Sequence, residues 1–488
     1  MIDGLKPYRK YKDTGLPWLQ EVPKHWEVRR GKALFRCIDV RSRTGQEELL
    51  TVSSERGVVP RRSANVTMFK AESYVGYKLC WPDDLVINSL WAWARGLGVS
   101  PYHGIVSSAY GVYRLRNRQQ DNPRFIHQLV RSIPFQWELQ VRSKGIWVSR
   151  LQLTDDAFLG APFPMPPSDE QTAIVRFLDW ADHRIRRVIR ARQQRIKLLE
   201  EYKQALINQA VTGKIDARTG KRYPKYKDSG VEWLGNVPEH WEVRRLRQVA
   251  LMLVSNVDKH TKEGEIAVHL CNYVDVYKNE RITADIKFMR ATASPDEIKR
   301  FRLRCGDVAI TKDSEIWNDI GVPALVEYEA PDLVYGYHLG ILRPYRNQLV
   351  GLYLLRALQS EGVATQLHVA ANGVTRFGLS HNAIKNAQIP VPPLPEQTAI
   401  VEFLDEQTER INAAIAATRR EIELLEEFRT RLVADVVTGK LDVREVAAKL
   451  PDELPEEETE PPDGEDIAEN SRVAGETDSE AISEEAEI

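Results

Sequence analysis

The chain has 488 residues, of which 42% are hydrophobic and 28% charged, with a formal net charge of −2. This composition is typical of a globular protein of three or four domains, and no run of about 18 apolar residues indicates a membrane span. Residues 1–12 are polar and basic, without the apolar segment of a secretory signal, so we expect a cytoplasmic protein. A metal site or a disulfide framework is not indicated, because no CxxC pair occurs among Cys37, Cys80, Cys271 and Cys305.

The small net charge hides an uneven distribution. Residues 451–488 contain 16 Asp and Glu and one basic residue, Arg472, so their net charge is −15. The other 450 residues carry 67 Lys and Arg and 54 Asp and Glu, a net charge of +13. A basic body is compatible with phosphate binding, although many proteins without that function are mildly basic. We predict that residues 444–488 form an acidic, disordered tail.

A long internal repeat dominates the sequence. A block with the pattern Tyr-Lys-Asp-(Ser/Thr)-Gly, Trp-Leu and Val-Pro-x-His-Trp-Glu-Val-Arg-Arg occupies residues 11–30 and returns 215 positions later at residues 226–245. A second block, Pro-Pro followed by Glu-Gln-Thr-Ala-Ile-Val and Phe-Leu-Asp, occupies residues 166–179 and returns 226 positions later at residues 392–405. Each copy then ends in Val-Thr-Gly-Lys. The repeat predicts a duplicated structural frame.

The segments between the shared blocks, about 31–160 and 246–388, have little sequence in common. Short apolar segments bounded by turn residues predict strands in both, for example at Leu85–Ile87 and at His338–Leu342. Short helical patterns follow these strands in each segment. We therefore predict two unlike domains, both of mixed α/β structure.

A long helix is predicted after each Pro-Pro pair. The first spans residues 168–212, with Ser168 as N-cap, Gln171 completing a capping box and Gly213 in the C′ position. The second spans residues 395–438 and has the same kind of ending. About 44 residues at 1.5 Å each make a rod of roughly 66 Å, which is too long to bury an apolar stripe alone.

Both predicted helices carry a stripe in which steps of four and three residues alternate, the spacing of a coiled-coil seam. We predict that the two stripes pair the helices antiparallel, under pseudo-two-fold symmetry; the alternative is that each helix packs on its own domain. The residues assigned to helix pairing and subunit contact are Ile185, Ile189, Ile196, Leu199, Leu206, Ile411, Ile415, Ile422, Leu425 and Leu432.

Several loops of the variable segments mix basic and aromatic residues, as a nucleic-acid reader requires. Lys and Arg neutralise phosphates, while Arg, Asn and Gln can read base edges in the major groove. The candidate DNA contacts are Trp91, Trp93, Arg95, Arg142, Lys144 and Arg150 in the first segment, and Lys312, Ser314, Asn318, Thr375 and Arg376 in the second. For each residue, the plainer interpretation is a role in the core or on a solvated surface.

The repeated blocks and the Val-Thr-Gly-Lys endings resemble those of type I restriction–modification specificity subunits. The resemblance covers residues from about 8 to 443, twice over and in the expected order. Residues 307–313 and 373–376 also resemble family segments inside a recognition domain. The acidic residues beyond Leu450 depart from the family pattern.

The resemblance implies that each variable domain reads one half of a bipartite, asymmetric double-stranded DNA target, and that the helices set the unread gap. It also implies that two modification subunits dock on the helices and transfer methyl groups from S-adenosylmethionine to adenine N6. Restriction subunits that use ATP and Mg²⁺ would join them for cleavage. The chain itself is then expected to be non-catalytic and to bind no cofactor or metal.

These inferences predict an α+β protein with two mixed α/β target-recognition domains separated by two long antiparallel coiled-coil helices. The predicted divisions are a recognition domain at 1–165, a spacer helix at 166–214, a second recognition domain at 215–392, a second spacer helix at 393–443, and the tail at 444–488.

Two other classes of function are disfavoured by the sequence. An adenine methyltransferase requires an Asn/Asp-Pro-Pro-aromatic motif, and none of the three Pro-Pro pairs fits it. A restriction motor requires a GxxxxGK[ST] loop, but Asn208 and Ala434 stand where its first glycine belongs. A scaffold that does not contact DNA is the remaining alternative.

Overall fold

The computed structural model describes residues 5–64, 73–145 and 151–451. The chain divides into two compact units, one formed by residues 1–187 with 426–488 and the other by residues 188–425. Each unit therefore combines one variable segment with the beginning of one long helix and the end of the other. No helix in the described part of the chain is both long and apolar enough to cross a membrane.

The first repeat alternates short strands and short helices before its long helix. In chain order its elements are β1 (Tyr11–Leu16), β2 (Leu19–Pro23), β3 (Glu27–Arg30), α1 (Gly31–Leu34), β4 (Phe35–Cys37), β5 (Leu50–Ser53), β6 (Gly57–Pro60), β7 (Lys78–Cys80), β8 (Leu85–Asn88), β9 (Leu97–Val99), β10 (Gly104–Val106), β11 (Tyr110–Leu115), α2 (Pro123–Val130), α3 (Ile133–Arg142), α4 (Asp155–Leu159), β12 (Pro162–Met165) and α5 (Ser168–Val211).

The second repeat has the same beginning and end and a different middle. Its elements are β13 (Tyr226–Asp228), β14 (Asn236–Pro238), β15 (Glu242–Arg245), α6 (Leu246–Val249), β16 (Ala250–Val254), β17 (Ile266–Cys271), α7 (Tyr273–Lys278), β18 (Arg281–Ile282), β19 (Met289–Ala293), α8 (Pro295–Phe301), β20 (Val308–Thr311), β21 (Asp313–Ser314), β22 (Pro323–Val326), β23 (Leu333–Tyr335), β24 (Leu339–Pro344), α9 (Gly351–Gln359), α10 (Glu361–Val369), β25 (Phe377–Gly378), α11 (His381–Asn386), β26 (Gln388–Val391), α12 (Leu394–Val437) and α13 (Arg444–Ala447).

The two variable segments, which share little sequence, also form different sheets. The first unit contains a four-stranded antiparallel sheet in the order β4-β11-β8-β9, with the pairs β5-β6 and β7-β10 beside it. The second contains a five-stranded sheet in the order β16-β24-β20-β22-β18 and a three-stranded sheet β19-β17-β23. Each of these two sheets includes one parallel pair, β18-β22 and β17-β23. The predicted fold class, mixed α/β with two long helices, is confirmed.

The helices α5 and α12 contact each other within each unit, and in the second unit two pairs show that they run antiparallel. In the second unit Arg192 Nε lies 2.7 Å from Glu421 Oε2, and Lys203 Nζ donates to Asn412 Oδ1 at 3.1 Å. In the first unit Arg429 pairs with Asp182. Because the partner numbers fall on α12 as they rise on α5, the two helices have opposite directions.

The seam residues are shielded from solvent along the middle of both helices. All of the following are buried or partly buried: Ile185, Ile189, Ile196, Leu199, Leu206, Ile411, Ile415, Ile422, Leu425 and Leu432. The first turns of α5 also pack on their own domain, since Ile174 and Phe177 join the core that includes Phe163. Leu432 and Val436 of α12 belong to that same core. Helix pairing and packing on the helix's own domain, posed above as alternatives, therefore coexist.

A buried carboxylate in the first turn of each long helix joins that helix to the repeated strand block. Glu170 accepts hydrogen bonds from Trp26 Nε1 at 2.8 Å and from the Tyr8 hydroxyl, and its other oxygen lies 2.7 Å from His25 Nε2. Both Glu170 and the indole of Trp26 are almost fully buried, at 3% and 0% exposed. These hydrogen bonds compensate the carboxylate for its lost hydration.

The second repeat reproduces this arrangement. Glu396 accepts hydrogen bonds from Trp241 Nε1 at 2.9 Å and from the Tyr223 hydroxyl at 3.0 Å, with His240 Nε2 at 2.9 Å. Burial alone would raise the pKa of Glu396, but the three hydrogen bonds outweigh it and hold the pKa below its usual value. The side chain is therefore ionised at neutral pH.

The segment that follows each long helix returns to a repeated strand block. Asp216 and Lys221 form a β-bridge across the turn 217–220. Asp442, the equivalent of Asp216, forms the same bridge with Lys6, and its backbone N–H donates to Lys6 O at 2.7 Å. The segment after the second helix is thus held by the strand block of the first repeat.

The helix α13 corrects one sequence expectation. It lies inside the segment 444–488 that was expected to be disordered, and Ala447 is only 2% exposed because it packs into the core of the first unit. Residues 452–488 lie outside the described part of the chain, so the expectation of disorder is untested there.

Glycine is required where each long helix ends. Gly213 and Gly439 have φ angles of +68° and +79°, in the left-handed region that the C′ position uses. A Cβ at Gly213 would lie 2.4 Å from Pro238 Cδ, and one at Gly439 would lie 2.3 Å from Pro23 Cδ. The Val-Thr-Gly-Lys ending therefore fits against the Val-Pro-x-His-Trp block.

We predict that Gly213→Ala and Gly439→Ala each lower the free energy of unfolding by about 2–4 kcal/mol, because left-handed strain adds to a clash with proline. Gly220→Ala is the control, because Gly220 has a φ of +67° but no atom within 4 Å of the added Cβ. That control should cost only about 1–2 kcal/mol. Urea unfolding followed by circular dichroism measures the difference, and equal losses for all three variants would contradict the packing argument.

Candidate nucleic-acid interface

A repeated glutamine attaches each variable segment to its long helix. Gln171 Oε1 accepts from Asn122 N at 2.7 Å, and its Nε2 donates to Pro166 O at 2.9 Å and to Gln120 O at 3.2 Å. The predicted capping box at Gln171 is wrong, because this buried amide contacts the variable segment and the Ser168 hydroxyl donates to Gln119 O instead.

Gln397 repeats these contacts in the second unit. Its Oε1 accepts from Val350 N at 2.9 Å, and its Nε2 donates to Pro392 O and Gln348 O, both at 2.8 Å. All of these partners are main-chain atoms. The variable segments are therefore attached at equivalent points by bonds that do not depend on their side chains.

The aspartate of each Phe-Leu-Asp motif adds an ion pair at this junction, with unequal burial. Asp179 pairs with Arg124 at 2.8 Å, and the Arg124 side chain is 67% exposed. Asp405 pairs at 2.8 Å with Arg356, whose side chain is only 2% exposed and also lies 2.9 Å from Glu280. Burial would raise the pKa of Glu280, but Arg356 and Lys203 outweigh it and the pKa lies below its usual value.

Three of the candidate contacts in the first unit lie on one loop, residues 89–96, between β8 and β9. Trp91 is 57% exposed, and its ring stacks on Trp93 with 5.9 Å between centroids and 17° between planes. Trp93 Nε1 donates to Leu90 O, which fixes the turn. Arg95 follows with a φ of +61°, so the loop reverses sharply there.

The other candidates of the first unit are placed less favourably for contacting DNA. The Arg142 guanidinium pairs with Glu138 one helical turn earlier on α3. Lys144 is exposed and forms a β-bridge with Gln152. This bridge lies close to the loop that carries Trp91, because Leu153 N, one residue further along, donates to Ser89 O. Arg150 lies outside the described residues.

In the second unit, pairing of β21 with β25 brings the two candidate loops together. Ser314 lies opposite Phe377 in this pair, so the loop after Ser314 lies beside the one that ends at Arg376. Asn318, Thr375 and Arg376 are exposed, whereas Ser314 is buried.

Lys312 is less available than the sequence suggested. Its side chain is only 17% exposed, and Nζ lies 3.4 Å from Asp313 Oδ2. The same carboxylate oxygen lies 2.9 Å from His338 Nδ1. Lys312 therefore contributes to a local charge network.

Several aromatic residues near these loops were not among the DNA contacts predicted from the sequence. Tyr273 and Tyr277 stack on α7 with 5.5 Å between ring centroids. Burial raises the pKa of Tyr273, and the positive charge of Arg376 opposes that shift. Trp317, at the loop tip, is 52% exposed. The sequence signal for this stacking was a pair of tyrosines spaced four residues apart after an Asn at the N-cap of the helix.

Comparison with known proteins identifies relatives of similar sequence and fold. The family model described as "Type I restriction modification DNA specificity domain" matches residues 238–424. The chain is 24% identical over 209 residues to the putative type I restriction enzyme MjaX specificity subunit of Methanocaldococcus jannaschii, covering 42% of this chain and 47% of the relative. It is 22% identical over 345 residues to the MjaVIII specificity subunit of the same organism, covering 70% and 75%.

The match to the first of these relatives thus spans about half of its length. Among solved structures, a chain reported under "Structural basis underlying complex assembly and conformational transition of the type I R-M system" aligns with a TM-score of 0.63 at 19% identity, covering 85% of this chain and 98% of that one. This likeness supports the fold. Over residues 238–424 the chain matches the type I restriction modification DNA specificity domain, and the curated relatives named above are type I restriction enzyme specificity subunits.

Proposed function

We propose that this subunit reads a bipartite, asymmetric double-stranded DNA target, with one half recognised by each variable segment. The observation that carries the proposal is that two unlike sheet domains are attached to a duplicated frame by equivalent bonds from Gln171 and Gln397. A duplicated frame with identical readers would suit a symmetric target. Different sheets and loops suit two different half-sites.

The loops named above supply chemistry suited to DNA. In the second unit, exposed Asn318 and Arg376 offer amide and guanidinium groups of the kind that pair with base edges or phosphates. In the first, the half-exposed Trp91 and neighbouring Arg95 offer a stacking surface beside a cation. Assignment of the remaining candidates to DNA contact stays a prediction.

The domain boundaries make this proposal testable by exchange. Replacing residues 246–388 with the same region of another specificity subunit should change only one half of the methylated sequence, because the frame residues stay in place. Sequencing of methylated DNA from cells that express the hybrid with its modification subunits measures both halves. A change in both halves would contradict independent readers, and residues 31–160 provide the reciprocal exchange.

The helices are proposed to set the unread gap between half-sites. Their seam keeps a continuous alternation of four- and three-residue steps, so a seven-residue insertion preserves the stripe. An insertion in one helix alone would leave its partner out of register. The gap should therefore respond to matched insertions.

Seven residues inserted into α5 between Arg192 and Lys203, and seven into α12 between Asn412 and Glu421, should lengthen the pair by about 10 Å. The gap should grow by roughly two to three base pairs, with the bases of both half-sites unchanged. Sequencing of methylated sites gives the gap directly. An unchanged gap would contradict the proposal that the helices set its length. Insertion into α5 alone is the control, and it should impair assembly.

We also propose that two modification subunits dock on the helices and use S-adenosylmethionine to methylate adenine N6, and that restriction subunits using ATP and Mg²⁺ join them for cleavage. Leu198 and Tyr202, four residues apart on α5 and outside the seam, are each 55% exposed. The positions 226 residues later, Leu424 and Phe428, are exposed as well. Exposed apolar pairs repeated on both helices suit two copies of one partner.

Replacing both Leu198 and Tyr202 by Ala should weaken binding of the modification subunit roughly tenfold or more, because large exposed apolar side chains dominate protein interfaces. Tyr345→Ala, which removes a side chain 40% exposed elsewhere in the second unit, is the control. Calorimetric titration of the purified subunits measures the affinity. Equal affinities for both variants would place the docking surface elsewhere.

A further inference from the structure

A group of unpaired cations lies on the strand block of the first unit. All five residues of this group, called here the basic arm, are exposed and form no ion pair with any described residue: Lys6, Arg9, Lys10, Lys12 and Lys24. Lys24 N donates to Lys10 O at 3.0 Å, which holds two of these lysines side by side. A surface that carries several exposed cations attracts anionic ligands.

The second repeat shows how the same position is neutralised when an acid is available. Glu239 stands at the repeat position of Lys24, and Lys225 at that of Lys10. Glu239 N donates to Lys225 O at 3.1 Å, and Lys225 Nζ lies 3.8 Å from Glu239 Oε2. The first repeat keeps the backbone contact and lacks the acid.

The acids nearest to the arm along the hairpin do not replace that missing partner. Asp13 and Glu21 lie opposite each other in the β1-β2 ladder, beyond the pair formed by Lys12 and Val22. The end of the hairpin that carries Lys10 is thus left with cations, and this makes the surface suited to an anionic ligand.

The chain carries a polyanionic segment attached to the same unit. Residues 452–488 contain 16 Asp and Glu against one basic residue, Arg472. They follow a segment fixed to the first unit, where Asp442 bridges Lys6 and Val443 is fully buried. Covalent attachment gives such a segment a high effective concentration at the arm, whereas DNA or a partner must bind from solution.

We propose that residues 452–488 bind the basic arm of the same chain and supply the acid that Glu239 supplies in the second repeat. Because the attraction is between exposed charges, it weakens as salt rises. A tail carboxylate and a DNA phosphate would compete for the same cations, so the tail would hold this surface away from DNA at low salt. Only this last consequence rests on the proposed function.

Zero-length carbodiimide crosslinking of the full chain, followed by mass spectrometry, tests the proposal without DNA. Carboxylates of residues 452–488 should be joined to Lys6, Lys10, Lys12 and Lys24, with yields independent of protein concentration. In Lys24→Glu, which introduces the acid found in the second repeat, the yield at Lys10 should fall roughly fivefold, as expected for loss of a surface charge interaction.

Lys227→Glu is the matched control, because it makes the same charge change at an exposed lysine of the second repeat. It should leave the yield at Lys10 unchanged. Crosslinks spread evenly over surface lysines, crosslinks that vanish on dilution, or an unchanged yield in Lys24→Glu would each overturn the proposal. Absence of tail crosslinks combined with weaker duplex binding by Lys24→Glu would overturn it as well and would make the arm a DNA contact.

Discussion

A carboxylate buried at the first turn of each long helix is the constraint on which the frame depends. Glu170 and Glu396 are 3% and 7% exposed, so their charges are separated from water. A buried charge without partners costs several kcal/mol, and its hydrogen bonds from Trp26 or Trp241 make burial possible only in one arrangement of strand block and helix. The carboxylate thus selects the orientation in which the helix leaves its domain.

The ending of each long helix packs against one copy of the repeated strand block. The glycine after each helix packs against the proline of a Val-Pro-x-His-Trp block, as Gly439 does against Pro23. The block that receives the second ending belongs to the first repeat, and the bridge between Lys6 and Asp442 fixes it there. The two repeated motifs are therefore the two sides of one interface, which forms once in each unit.

Elements that follow from a local pattern of apolar residues could be predicted from the sequence. Contacts between residues far apart in the chain could not. The seam positions from Ile185 to Leu206 follow from a repeating step along one helix, and β8 and β24 follow from short apolar runs. The partner of Gln171 lies 49 residues away at Asn122, which no local pattern specifies. Lys312 is only partly exposed because it lies beside Asp313, which also pairs with His338 in the turn before β24. The tyrosine stacking on α7 is different, because the spacing of Tyr273 and Tyr277 is a local signal.

The way the frame holds its variable segments also explains how they can differ so much. Gln171 and Gln397 bond to main-chain N–H and C=O groups, which are present whatever side chains the segment carries. Arg356, by contrast, pairs with Asp405 through a side chain that is only 2% exposed and that also pairs with Glu280. In the first segment the equivalent aspartate, Asp179, pairs with the exposed Arg124, and such an exposed ion pair contributes about 1 kcal/mol or less. Attachment through main-chain atoms is therefore the part of the junction that both segments can share, and side-chain pairs are free to vary with the segment.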